Sequence, residues 1–319
     1  MTSSAAPARV GDAAVGNGSG SSPRRSSSTA RRSHVIALGL LAPSLIGVTI
    51  FLAVPVLFVI VLSFFRWNLL NAPQWVGVGN YVDMFRFEGA GHALWITTLY
   101  VILNIPMQTV LALAMAMLMN RKGRVTGVVR VLCVLPYLAT PVAMAVVWQW
   151  IFDPGTGLVN TLLAQVGISG PQWLSSSFWA LPVVAFANIW QYVGYNMLFF
   201  LAGLQAIPHT VYEAADVDGV SKWGQFLHVT LPLLRPTLLF VLVTTVIGSF
   251  QVFDTVYVMT KGGPGKSTTV MNQLIYQTGF QGFRIGVASA LSVLLFVIIL
   301  AVTVSQFAYF RNRTTYEMT

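Results

Sequence analysis

The sequence predicts an all-α, polytopic membrane protein with about six transmembrane helices. Three observations lead there. Only 8% of the 319 residues are charged and 55% are hydrophobic, whereas a soluble domain carries about 25% charged residues. Several stretches reach the ~20 mostly apolar residues that cross a bilayer. The lysines and arginines gather at the ends of those stretches, unequally on the two sides.

Residues 1–33 are rich in Ser, Ala, Gly and Arg without apolar periodicity. They predict a disordered basic tail, a membrane domain over 34–313 and a short tail over 314–319. Arg24, Arg25, Arg31 and Arg32 suggest a twin-arginine export signal, but the apolar run that follows is about 30 residues long. A signal core has ~7–15, so a retained first helix is expected.

The apolar runs lie at about 35–65, 94–119, 131–152, 178–204, 236–259 and 285–310. Pro55, Pro106, Pro141 and Pro182 fall inside them, which helices in a bundle tolerate when neighbours satisfy the freed backbone groups. With a cytoplasmic N-terminus, that side holds thirteen basic residues: Arg9, Arg24, Arg25, Arg31, Arg32, Arg121, Lys122, Arg124, Arg130, Lys222, Arg235, Arg311 and Arg313. The opposite side holds five: Arg66, Arg86, Lys261, Lys266 and Arg284. Both termini are therefore expected in the cytoplasm.

The net charge of +9 is spread over helix ends rather than gathered in a stripe, which argues against nucleic acid. Cys133 is the only cysteine and the four histidines are scattered, so no disulfide framework or metal site is expected. Gly265-Lys266-Ser267 resembles the end of a phosphate-binding loop, but the glycine needed five residues earlier is Thr260. Gly262-Gly263-Pro264 reads instead as an external turn. With no nucleotide motif, no cofactor is expected in this chain.

The loop over about 205–236 differs from its neighbours. Pro208 to Asp218 reads as a short helix stopped by Gly219; a second begins near Ser221, with Trp223, Phe226, Leu227 and Thr230 at helical spacing, and Pro232 is expected to end it. Two readings stand for these residues. Glu213 has capping-box spacing from Thr210, and Trp223 and Phe226 have the character of interfacial anchors. Alternatively, the segment is a knob that contacts a soluble partner.

Glu213-Ala214-Ala215, three residues, Gly219, nine residues, Val229 and Thr230-Leu231-Pro232 resemble the EAA loop of binding-protein-dependent ABC importer permeases, which usually carry Ile at the Val229 position. Leu41-Ala42-Pro43-Ser44, Gly79-Asn80-Tyr81, Trp148 through Gly157 and Phe250 through Pro264 are similar to maltose-type sugar permeases. Within these, the chain looks closest to the first permease of glycerol-3-phosphate or glycerophosphodiester importers. The resemblance implies a type I importer fold, with the loop as a coupling helix docked on an ATPase. Glu213 would pair with a basic residue there, Ala214, Ala215 and Gly219 would allow close approach, Trp223 and Phe226 would pack the knob's interior or its contact face, and Asp218, Leu231 and Pro232 belong to the same ATPase-coupling set. It also implies a sister permease, two copies of a cytoplasmic ATPase that hold ATP and Mg, and an extracytoplasmic solute-binding protein.

Polar residues inside apolar runs are costly and mark candidate sites. Asp254 is the only acidic one, and no Lys or Arg lies within the runs, which argues against glycerol 3-phosphate unless its charge is recognised by the partner permease or the external binding protein. Asn188, Gln191, Tyr192, Tyr195 and Asn196 crowd the fourth run, with Trp148, Gln149 and Gln251 on others. Amides that bond hydroxyls and rings that stack on sugar faces suit a carbohydrate path. The same residue types also serve helix–helix hydrogen bonding, and Asp254 is equally readable as solvated at headgroup level. An ion-coupled secondary transporter remains the alternative, although it calls for more buried ionisable groups. A membrane enzyme would need a catalytic constellation, which is missing.

Overall fold

The computed structural model describes residues 39–121 and 123–311. The expected tails, the basic residues within them and Lys122 lie outside the described residues. The chain divides into two compact units at Pro55–Val56. The first contains most of helix α1, Gly39–Leu62, whose most apolar window has a mean hydropathy of 3.0.

In the second unit a two-residue ribbon follows, β1 (Phe65–Arg66) antiparallel to β2 (Gln74–Trp75), and then α2 (Gly79–Arg86). Asn80 is fully buried and its amide donates to the Ser63 and Phe65 carbonyls, both at 2.8 Å. The Tyr81 hydroxyl lies 2.8 Å from Ser63 Oγ. The Gly79-Asn80-Tyr81 signature thus ties α2 to the end of α1.

The bundle is built from α3 (Ala90–Met119), α4 (Arg124–Leu138), α5 (Pro141–Ile151), α7 (Ala180–Ala206), α10 (Arg235–Phe250) with α11 (Asp254–Met259), and α13 (Ile285–Arg311). Between them lie α6 (Leu158–Gln165), α8 (His209–Val217), α9 (Lys222–Gln225) and α12 (Met271–Tyr276). Among the described residues four helices are long and apolar enough to span a bilayer, and five if the bent α4–α5 pair is one span. The 27-residue α7 is as long, but its amides and ring-bearing polar residues dilute its apolarity.

The third run does not form the single helix expected over 131–152. It bends by 98° between α4 and α5. Ala139 and Thr140 are extended, Thr140 Oγ1 accepts from the Ala143 N–H at 3.4 Å, and Pro141 opens α5. Proline keeps the residue before it out of the helical region and suits a first helical position, so Thr140-Pro141 starts a new helix. After α5, Asp153 Oδ1 accepts from the Thr156 N–H (2.8 Å), the Thr156 hydroxyl and the Gly155 N–H. These bonds, the Thr156 amide foremost, hold its carboxyl below the usual range.

The bundle is polar-inside in part and apolar outside. Along α3, Asn104 and Gln108 are buried while Ile102, Val110 and Leu118 are about 60% exposed or more, as expected where the surrounding solvent is lipid. Ala112 and Ala116, one turn apart and fully buried, let α3 approach Met197 and Phe200 of α7. Gly194 brings α7 against α4 so closely that a Cβ there would collide with the Cys133 carbonyl.

Candidate functional site

Two regions carry polar chemistry. The first is the loop at the end of α7. Its opening helix, α8, starts at His209 after Pro208 and has no side-chain cap. Thr210 lies inside the helix, so the capping box with Glu213 does not form. Glu213 is exposed and takes part in none of the ion pairs among the described residues. α8 ends in a Schellman closure: the Gly219 N–H donates to the Asp216 carbonyl and the Val220 N–H to the Ala215 carbonyl, at 3.1 and 3.0 Å. Gly219 has φ +70°, and a Cβ there would meet nothing within 4 Å. Within this chain its glycine is therefore required by the left-handed turn and not by a close neighbour.

The second arm starts at α9, where Ser221 Oγ accepts from the Gly224 N–H at 3.2 Å. Pro232 does not end the arm as expected. The helix widens to a π-turn over Phe226–Thr230, with the Leu231 N–H bonded to the Phe226 carbonyl, and continues through Leu231–Leu233 towards α10. A proline ring clashes with the carbonyl four residues back in an α-helix; the wider turn just before it relieves that clash.

Asp216, which the sequence reading passed over, joins the arms. Its Oδ1 accepts from Lys222 Nζ at 2.7 Å and from Gln225 Nε2, and Gln225 is buried and donates to the Val220 carbonyl as well. Lys222 first, then Gln225, hold the Asp216 carboxyl below its usual range. The Tyr212 hydroxyl meets Thr230 Oγ1 at 3.1 Å. Ala215 is buried inside the knob, whereas Ala214 and Asp218 are exposed. Trp223 is 68% exposed and stacks on the half-buried Phe226, centroids 5.3 Å apart. Leu231 and Pro232 are half-buried.

The second region is a cavity of about 240 Å3 within the bundle. Six of the nine expected path residues line it: Asn188, Tyr192, Tyr195, Asn196, Gln251 and Asp254. Three stand elsewhere. Gln191 is buried and donates to the Ala139 carbonyl at 3.1 Å, the acceptor left free by the α4–α5 break. Trp148 packs among Phe152, Phe186 and Trp190. Gln149 borders a separate recess with Asp153 and Thr260.

The cavity also takes residues not singled out from the sequence, notably Asn104, Gln108, Tyr137, Thr245 and Ser249. Asn104 donates to Gln108 Oε1 and Ser249 Oγ, each at 3.0 Å, and Asn196 donates to Thr245 Oγ1 at 3.1 Å. These bonds tie α3 and α7 to α10. The i, i+4 spacing of Asn104 and Gln108 within an apolar run was the available signal. Tyr137 stacks on Tyr195 at 4.1 Å and meets Tyr192 edge-on. Asp254 is exposed at the start of α11 and is the only charged residue lining the cavity.

Comparison with known proteins agrees with this architecture. The chain is 34% identical over 273 residues to the sulfoquinovosyl glycerol transport system permease protein SmoG of Agrobacterium fabrum, covering 85% of this chain and 88% of that one. It is 36% identical to the lactose transport system permease protein LacF of Rhizobium radiobacter (84% and 91% covered). It is 33% identical to the sn-glycerol-3-phosphate transport system permease protein UgpA of Yersinia pestis (76% and 83%). A bacterial ABC transporter involved in the import of the acidic polysaccharide alginate has a chain of the same fold, with TM-score 0.77 and 26% identity over 90% of this chain and 99% of that one. Residues 108–315 match the family described as binding-protein-dependent transport system inner membrane component. The chain is a multi-pass membrane transport subunit that belongs to this family.

Proposed function

We propose that this chain is a permease subunit of an ABC importer that passes a neutral carbohydrate through the bundle by alternating access. The observation that carries the solute class is the cavity lining. Asn188, Tyr192, Gln251 and Asp254 face it, together with the stacked Tyr137–Tyr195 pair, and no Lys or Arg is present. Amides and phenols bond sugar hydroxyls, and ring faces cover the apolar faces of a pyranose. An anionic solute would lack a counter-charge and would meet Asp254, so a neutral sugar fits better than glycerol 3-phosphate. LacF, named for lactose, favours a neutral sugar, whereas SmoG is named for a sugar glycoside that bears a sulfonate, so the two agree on a sugar and the cavity lining alone argues for a neutral one.

In this reading the 205–236 loop docks on a separate ATPase that holds ATP and Mg, with Glu213 and Trp223 on the contact face. A sister permease, two ATPase copies and an extracytoplasmic solute-binding protein complete the importer, and both termini lie on the side of the loop. A related chain occurs in a transporter crystallised with a periplasmic protein carrying an alginate pentasaccharide. The test is ATPase stimulation in a reconstituted complex by binding protein presented with neutral oligosaccharides or with glycerol 3-phosphate. Stimulation by neutral sugars supports the reading, and stimulation by the phosphate ester alone refutes the solute class.

A further inference from the structure

A recess of about 700 Å3 opens at the loop end of the bundle, where α3 ends, α4 begins and α8 forms one wall. It is lined by Arg121, Arg130 and His209 with the polar side chains of Asn120, Gln205 and Tyr212, and its described lining contains no Asp or Glu. Arg130 Nη2 donates to the Met119 and Arg121 carbonyls at 2.6 and 3.2 Å. That contact offsets the partial negative charge at the end of α3 and holds the guanidinium in place. It leaves Nε of the same group buried without a partner. Arg121 and His209 are exposed at the rim. Gly123, also in the lining, precedes α4 with no side-chain cap on the first-turn amides.

We propose that this recess binds a phosphate group, carried by an anionic phospholipid headgroup or by a soluble phosphate ester. A guanidinium fixed by two carbonyls, a second arginine, an imidazole and two amides line the recess from several directions, and Arg geometry matches phosphate oxygens. Basic recesses at the ends of membrane-spanning helices lie at headgroup depth. The site is separate from the solute cavity and does not depend on the solute assigned above. A bound phosphate would bridge α4 to His209 and so stiffen α8.

The test uses the full chain, compared with an Arg121→Gln/His209→Gln variant. Both side chains are exposed, whereas Arg130→Gln would also uncap α3. Native mass spectrometry in detergent measures binding of phosphatidylglycerol and phosphatidylcholine, and thermal unfolding measures protection by inorganic phosphate. Loss of one charge-assisted contact weakens binding by roughly ten-fold or more. A fall of that size for phosphatidylglycerol, with phosphatidylcholine unchanged, supports the site with lipid as the source. Protection by inorganic phosphate that the variant loses, with no preference between the lipids, supports the site with a soluble source. Equal binding of phosphatidylglycerol and inorganic phosphate by both proteins overturns it.

Discussion

Asp216 accepts a 2.7 Å hydrogen bond from Lys222 across the turn at Gly219, joining the two arms of the loop that follows α7. The two residues are exposed, and such a pair alone contributes little. Its value is positional, because the same carboxylate also holds the buried Gln225 amide.

The Asp216 carboxyl is depressed in the folded loop by Lys222 and then Gln225. Its contribution is therefore present above the unfolded value of about 3.9 and is lost as pH falls through the lower folded value. The loop is expected to keep its geometry from neutral pH down to about pH 4 and to loosen below that. Asp216→Asn should loosen it at neutral pH. Amide exchange over 209–233, corrected for intrinsic rate, checks both; loosening between pH 7 and pH 5 in the native chain would speak against this role.

Gly219→Ala should destabilise the loop by about 1–2 kcal/mol, the cost of a left-handed residue with a side chain. Gly219→Asn should cost less, because asparagine visits that region more readily. Amide exchange at Gly219 and Val220 reports the difference. Equal effects of the two substitutions would assign the glycine to crowding instead.

Gly194→Ala places a methyl group against the Cys133 carbonyl, where backbone rather than a side chain must move. A loss of at least about 1–3 kcal/mol is expected, read as lower thermal stability of the purified chain. Gln191→Leu, which leaves the partly buried Ala139 carbonyl without its donor, should cost about 1 kcal/mol. It should act on stability more than on solute affinity.

Asp254→Asn tests the cavity. Loss of a charge-assisted hydrogen bond to a sugar hydroxyl is expected to raise the half-saturating solute concentration about ten-fold, with assembly unchanged. Unaltered uptake kinetics would return Asp254 to a solvated position outside the path.

Most of the bundle was legible because a bilayer demands long apolar runs, and those runs became α1, α3, α7, α10–α11 and α13. The bend at Ala139–Thr140 was not, since proline is tolerated within membrane helices and Pro141 alone does not say whether the chain kinks or restarts. Thr140 before it was the capping signal. The loop motif was legible as spacing, but the staple was not. Asp216, Lys222 and Gln225 lie on opposite sides of a left-handed turn, so no helical periodicity relates them. In the cavity, residue type pointed to Asn188, Tyr192, Tyr195, Asn196, Gln251 and Asp254. It did not separate them from Gln191, whose amide serves the backbone break, because that distinction depends on where the neighbouring carbonyl lies.

The central claim is that the exposed Glu213 face of the loop couples this subunit to an ATPase. The most direct measurement compares solute-stimulated ATP hydrolysis and uptake in the reconstituted importer for the native chain and Glu213→Arg. The account predicts that the variant assembles with its partners yet loses most stimulation and uptake. Native-level uptake by Glu213→Arg would contradict it.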